Sequence, residues 1–178
     1  MLDFHEPKPT YWPKTSVDEF ASSIAKAFEL EPGADLHPLV ESLGGEIVFG
    51  WKSLDEFNGG SIVVRSVDDF TIVLSEMTSP KRDRFTIAHE LGHLCMHYQP
   101  LVEAHGKGVC MRATREKRSG DTDHERAEWE ANWFAAGFLM PKATFLRVVN
   151  ELDDNDLATF FNVSSTAVEI RKKTLGVK

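Results

Sequence analysis

The stretch RFTIAHELGHLCMH, residues 84–97, sets His89, Glu90, His93 and His97 among apolar neighbours, and it constrains the fold more than any other part of the chain. At about 100° per residue, Ile87, Leu91, Leu94, Cys95 and Tyr98 share one helical face. His89 and His93 point roughly 150° away from the centre of that face. Such a helix has a core face and a separate histidine face. Gly92, beside the second histidine, costs on the order of 1 kcal/mol of helix stability relative to Ala. A close neighbour is therefore expected at Gly92.

HELGH (89–93) matches H-E-x-x-H. Helix positions four apart lie one above the other, so His89 and His93 can grip one ion together. Glu90, between them, is placed to take a proton from an attacking water. Neutral imidazole is a good zinc ligand. In a chain of this composition the pattern arises by chance about 2% of the time, so it points to a metal without establishing one. His97 continues the row, but about 12 Å from His89 along the axis it is too far to join one tetrahedral site. A helix-end role, or support of a ligand, is expected for it.

Two histidines leave a catalytic zinc site short of its usual three protein ligands. A second helix, DHERAEWEANWFAAGFLM (123–140), is apolar on almost every side yet carries Glu128 and Asn132 one turn apart. A buried carboxylate needs a cation or hydrogen bonds. A metal on His89 and His93 would satisfy Glu128, and Asn132 would then accept the N–H of a ligand histidine. Glu125 and Glu130 are rival carboxylates, with Glu125 at the start of the helix and Glu130 about 160° from Glu128. An ion pair of Glu128 with Arg126 is the plainer alternative.

Around these helices the chain reads as α+β. Residues 1–15, rich in proline, form an extended arm. Helices are expected over 16–30, with Ser16 as cap, and over 36–45; strands are expected over 46–51 and, after a turn at 58–60, as a pair within 61–76. Residues 99–122 lack periodicity and read as a long loop holding Cys110. Asp123 is a possible cap for the second motif helix, and residues 142–178 form a helical C-terminal extension. A length of 178 residues suits a single domain spanning 1–178.

A net charge of −8 argues against direct nucleic-acid binding. Residues 142–178 carry six Lys or Arg against five Asp or Glu, hardly a phosphate-binding surface, although LATFFNVSSTAVEIRKKTLG has the rhythm of a helix-turn-helix unit. There, a helical cap that packs on the enzyme or presents its substrate is the favoured reading. No apolar run approaches the length of a membrane span. Two cysteines, with no leader pattern at the N-terminus, suit a reducing, cytoplasmic setting.

RFTIAHELGHLCMH and EWEANWFAAGFLMP resemble the FTxAHELGH and ExxANxFAxxLLMP blocks of the ImmA/IrrE family of metallopeptidases, and NGGSIVV…FTIVLSE resembles its small sheet. The resemblance implies a zincin-like fold, with a small, mostly antiparallel sheet packed on the H-E-x-x-H helix. It implies Zn2+ bound by His89, His93 and Glu128, with Glu90 as general base. It further implies an endopeptidase acting on a partner protein, such as an Xre-type helix-turn-helix repressor or an antitoxin, in stress-response or toxin–antitoxin settings. A zincin-fold module that senses or sequesters a partner without turnover is the alternative. A tetrahedral oxyanion also needs a donor. His97, Tyr98, His105, His124 and the arginines of MRATREKR are the candidates.

Overall fold

The computed structural model describes residues 4–50, 60–114 and 120–177. Residues 58 and 59 of the expected turn at 58–60 lie outside them, as do Arg115 and Arg118 of MRATREKR. Among the described residues the chain forms five strands and eight α-helices. In order they are β1 (Phe4–His5), α1 (Lys14–Ala27), α2 (His37–Ser42), β2 (Gly45–Phe49), β3 (Gly60–Ser66), β4 (Asp69–Leu74), α3 (Pro80–His93), a π-helical turn (Leu94–Tyr98), α4 (Gln99–His105), β5 (Cys110–Thr114), α5 (Thr122–Leu139), α6 (Lys142–Val148), α7 (Asp154–Phe160) and α8 (Ser165–Leu175).

The sheet order is β1-β5-β3-β4-β2. β3 pairs antiparallel with β4 and with β5, whereas β2 with β4 and β1 with β5 are parallel. The sheet is therefore mixed, not mostly antiparallel. Alternating side chains disclose a strand and its two faces, but they do not say which neighbour it chooses. Here β4, the second strand of the β3–β4 hairpin, lies between β3 and β2. One face of the sheet, with Ile62, Val64, Ile72, Leu74 and Met111, joins Ile87 and Leu91 of α3 in the main core. The opposite face holds a small apolar cluster of Val63 and Val73, with Phe4 and Val48 packed against them.

Several boundaries differ from expectation. α1 starts at Lys14 behind Pro13, without the Ser16 cap. The cap of α5 is Asp121, whose side chain accepts from the His124 amide, rather than Asp123. The arm contributes β1, and the stretch read as one long loop contains α4 and β5, with Cys110 buried in the strand. Both strands are short and pair non-locally, so no local period announces them. The three expected terminal helices are present as α6, α7 and α8.

Two buried arginines tie those helices to the rest. Arg84 of α3 donates through Nε to Ala34 O at 2.8 Å and through Nη1 to Phe161 O at 2.7 Å. Arg171 of α8 donates to Met140 O at 3.0 Å and, through Nη1, to Asp18 of α1. No helix among the described residues is long and apolar enough to cross a membrane.

Candidate metal centre

α3 lies between the sheet and α5, so its histidine face is covered as well as its apolar face. Ser79 caps it, accepting from the Arg82 amide, with Pro80 at its first turn. From Arg84 to His93 only Phe85 escapes full burial. The close neighbour expected at Gly92 is Phe134 of α5: a Cβ at Gly92 would stand 3.1–3.2 Å from the Cδ1, Cβ and Cγ atoms of Phe134. The absent side chain lets α5 approach until Glu128 overhangs the histidines.

His89 Nε2 and His93 Nε2 are 3.2 Å apart. Glu128 Oε2 lies 3.3 Å from the first and Glu128 Oε1 3.0 Å from the second. Tetrahedral zinc with bonds near 2.0–2.1 Å separates its ligand atoms by about 3.3 Å. Glu90, wholly buried, offers a carboxylate oxygen that with the two imidazoles forms a group within 4.8 Å of one another.

The surrounding hydrogen bonds fix where the protons are. Asn132 Oδ1 accepts from His89 Nδ1 at 3.0 Å, which leaves the lone pair on His89 Nε2. Behind His93 runs a longer chain. His93 Nδ1 is 3.0 Å from His97 Nδ1, and His97 Nε2 is 3.0 Å from Glu130 Oε2. Burial, against the pull of Glu130, pushes the His97 pKa down to about 4, so the ring is neutral. Glu130 accepts, so His97 carries its proton on Nε2 and accepts at Nδ1; His93 then donates from Nδ1 and keeps its lone pair on Nε2.

Two imidazole lone pairs thus face a carboxylate at 3.0–3.3 Å. Such an arrangement repels itself unless positive charge stands within it. In the metal-free chain a proton on an imidazole Nε2 can supply that charge, and the pKa directions show the pull toward it. Burial alone would lower the His89 pKa, but the Glu128 hydrogen bond and the charges of Glu90 and Glu128 outweigh it and raise the value. Burial opposes ionisation of Glu128, yet its hydrogen bonds with His89 and His93 hold it well below the usual carboxylate range. A divalent ion fits the donor set, the separations and the charge.

Glu130 sits on the far side of α5 from Glu128, as its helical phase requires, and is no rival ligand. It is fully buried and receives the Thr10 amide at 2.8 Å, the Thr10 hydroxyl at 3.0 Å and Arg126 Nε at 3.0 Å, besides His97. Sequence reasoning weighed Glu130 only as a ligand and did not consider Thr10. The signal was there in part, since Glu130 is a carboxylate on an apolar helix. The plainer alternative for Arg126 was an ion pair with Glu128; its partner is Glu130.

Most of the expected oxyanion donors are engaged elsewhere. His97 is buried between His93 and Glu130. Tyr98 donates to the Val109 and Arg65 carbonyls. The His105 ring packs on His5 with centroids 4.0 Å apart, and Arg112 lies over the Phe4 ring. His124 alone shares the Glu128 face of α5, one turn earlier, and is half-buried. Cys95 packs against the core, as expected, and burial pushes its thiol up to about 12.

Comparison with known proteins gives the chain a family. The chain belongs to the Peptidase M78 family, described as the IrrE N-terminal-like domain, which it matches over residues 64–173. That span includes His89, Glu90, His93 and Glu128. No curated protein sequence matches the chain. Among solved structures it is similar in fold to a Mycobacterium tuberculosis transcriptional regulator, with a TM-score of 0.58 at 20% identity. The likeness covers 86% of this chain but 45% of that one, so this chain spans less than half of its length.

Proposed function

We propose that the protein is a zinc-dependent endopeptidase with a zincin-like arrangement, in which α3 lies against the sheet and α5 supplies the third ligand. In this reading His89, His93 and Glu128 hold Zn2+, and Glu90 is the general base. The observation that carries it is the convergence of two imidazole nitrogens and one carboxylate at 3.0–3.3 Å, with a second carboxylate beside them. A bare metal-storage or structural site has no use for Glu90; a hydrolase does.

Zinc, when bound, supplies Lewis-acid polarisation of the scissile carbonyl and acidifies water at the site. Glu90 removes the proton from the attacking water and returns it to the leaving amine. Asn132 and the His97–Glu130 chain keep both imidazoles in the ligating tautomer. His124, one turn before Glu128 on α5, is the candidate donor to the developing oxyanion. The substrate in this reading is a separate protein, an Xre-type repressor or an antitoxin, and the family membership supports that class. The similar structure's description as a transcriptional regulator is in keeping with it.

The test is a pair of zinc-loaded proteins, wild type and Glu90→Gln, incubated with Xre-type repressors and antitoxins. The expected result is cleavage by the wild type alone, with the same zinc content in both. Relief of repression by an intact Glu90→Gln protein would instead make the chain a binding module that acts without turnover.

A further inference from the structure

Beside the metal centre lies a cavity of about 670 Å³, within the size range of ligand sites. It runs between α1, the first turns of α3, the C-terminal half of α5, and α8. Asn132, which holds His89, lines it, and so does Trp129, the residue after Glu128. The cavity therefore starts one side chain away from the ligands. Its walls are largely apolar, built from Phe85, Trp133, Met140, Val163 and Ile170. Trp129 is 53% exposed and Ile170 54% exposed, so apolar surface at the cavity's rim reaches solvent.

Of the charged side chains in the lining, four are basic and one, Asp18, is acidic. Lys14, Lys81 and Arg82 line the cavity, are exposed, and make no ion pair with any acidic residue among the described residues. The acidic side chain in the lining, Asp18, is already paired with Arg171. Arg171 itself is 2% exposed, and its Nη2 has no hydrogen-bond partner among the described residues. A buried guanidinium nitrogen left without an acceptor costs free energy. Lys14 donates to the Thr174 hydroxyl at 3.1 Å. In a chain of net charge −8, three cations without an ion pair among the described residues and an arginine nitrogen without an acceptor surround one apolar cavity, a lining suited to an anionic, apolar occupant.

We propose that this cavity binds the side chains of the substrate polypeptide next to the scissile bond. It takes a large apolar residue, and a neighbouring Asp or Glu carboxylate of the same segment is held by Lys14, Lys81 and Arg82. The inference rests on the peptidase reading for its orientation toward His89, but the binding preference is measurable without turnover.

The experiment uses the full chain in two non-hydrolysing forms, zinc-loaded Glu90→Gln and the chelator-stripped wild type. Each is titrated with three synthetic peptides of equal length: one with Leu-Phe flanked by Glu, one with the Glu changed to Lys, and one with Leu-Phe changed to Ser. Binding is read by calorimetry and by the emission of the lining tryptophans. The acidic apolar peptide is expected to bind at least tenfold tighter than either other, and to shift the emission. The double charge reversal Lys81→Glu with Arg82→Glu, both at exposed positions, is expected to invert the Glu-over-Lys order. Equal binding of the three peptides, no binding of any, or an order indifferent to the reversal would overturn the proposal. So would tighter, salt-dependent binding of a duplex DNA oligonucleotide that the reversal abolishes. Cleavage of the same peptides by the zinc-loaded wild type is scored separately. Ordered binding without cleavage would sink the peptidase reading and leave the cavity's preference standing.

Discussion

Glu130 shows how much a single buried side chain can determine from outside the ligand set. Its carboxylate collects four donors and fixes the proton on His97, which in turn fixes the proton on His93. Replacing Glu130 by Gln, or His97 by Phe, leaves His93 free to adopt the other tautomer. Zinc affinity measured by chelator competition is expected to fall by about 10–100-fold in either variant, with the ligands themselves intact. Unchanged affinity would show that the chain of rings plays no part in ligation.

Burial works against ionisation of Glu130, but His97, Thr10 and Arg126 prevail and hold its pKa at about 2, below the ordinary 4.5. Between those values the unfolded chain binds the proton and the native state does not, so the contribution to stability is present above about pH 4.5 and is lost as pH falls toward 2. In metal-free protein, acid unfolding of the wild type should therefore be steeper across that window than that of Glu130→Gln. Cys95 offers a simpler check. With its thiol pushed up to about 12, it should resist iodoacetamide at neutral pH until the protein is denatured.

Among the elements, the contact of α3 with α5 decides whether a site exists at all. Gly92→Ala would gain about 1 kcal/mol of helix propensity on an exposed helix. Here the new methyl meets Phe134, which is fully buried and stacked on Phe138, so the neighbour has little room to give. Overpacking of this kind costs about 1–3 kcal/mol. The expected outcome is a lower denaturant midpoint together with weaker zinc binding, because α5 carries Glu128. A raised midpoint would mean that the helices can part without cost.

The same contact explains what could be read in advance. His89, Glu90 and His93 were legible because one helix sets their spacing. Glu128 was legible because a carboxylate one turn from Asn132 stands out on an apolar helix, and Gly92 announced a close neighbour without naming Phe134. What stayed hidden depends on pairing between distant segments. β1 and β5 are too short to show a period, and Thr10 reaches Glu130 across 120 residues of sequence. The parallel pairings escaped for the same reason. A helix-end or supporting role for His97 is legible from its place in the row, but its partner Glu130 on α5 is not, because no local pattern links the two helices.

At the scale of the whole molecule, the terminal helices close one side of the cavity next to the metal centre. Arg84 holds the Phe161 carbonyl from the same helix that carries His89, and Arg171 holds α8 to α1 and to the end of α5. Docking of α7 and α8 and integrity of the centre are therefore expected to be lost together. An ion that binds only the native state adds stability by mass action, about 2.7 kcal/mol at one hundred times its Kd. Saturating zinc should raise the unfolding midpoint of the entire chain in one transition, and an Arg84→Met variant should lower it in one transition. Separate melting of residues 142–178 would mean that those helices fold independently of the centre.

The central claim is that His89, His93 and Glu128 surround one divalent ion, and metal stoichiometry tests it most directly. Purified wild-type protein equilibrated with zinc and then desalted should retain one ion per chain. His89→Ala, His93→Ala and Glu128→Ala should each lose it under the same treatment, while Glu125→Ala, at a rival carboxylate on the same helix, should keep it. Retention of a full equivalent by Glu128→Ala, or none by the wild type, would contradict the account.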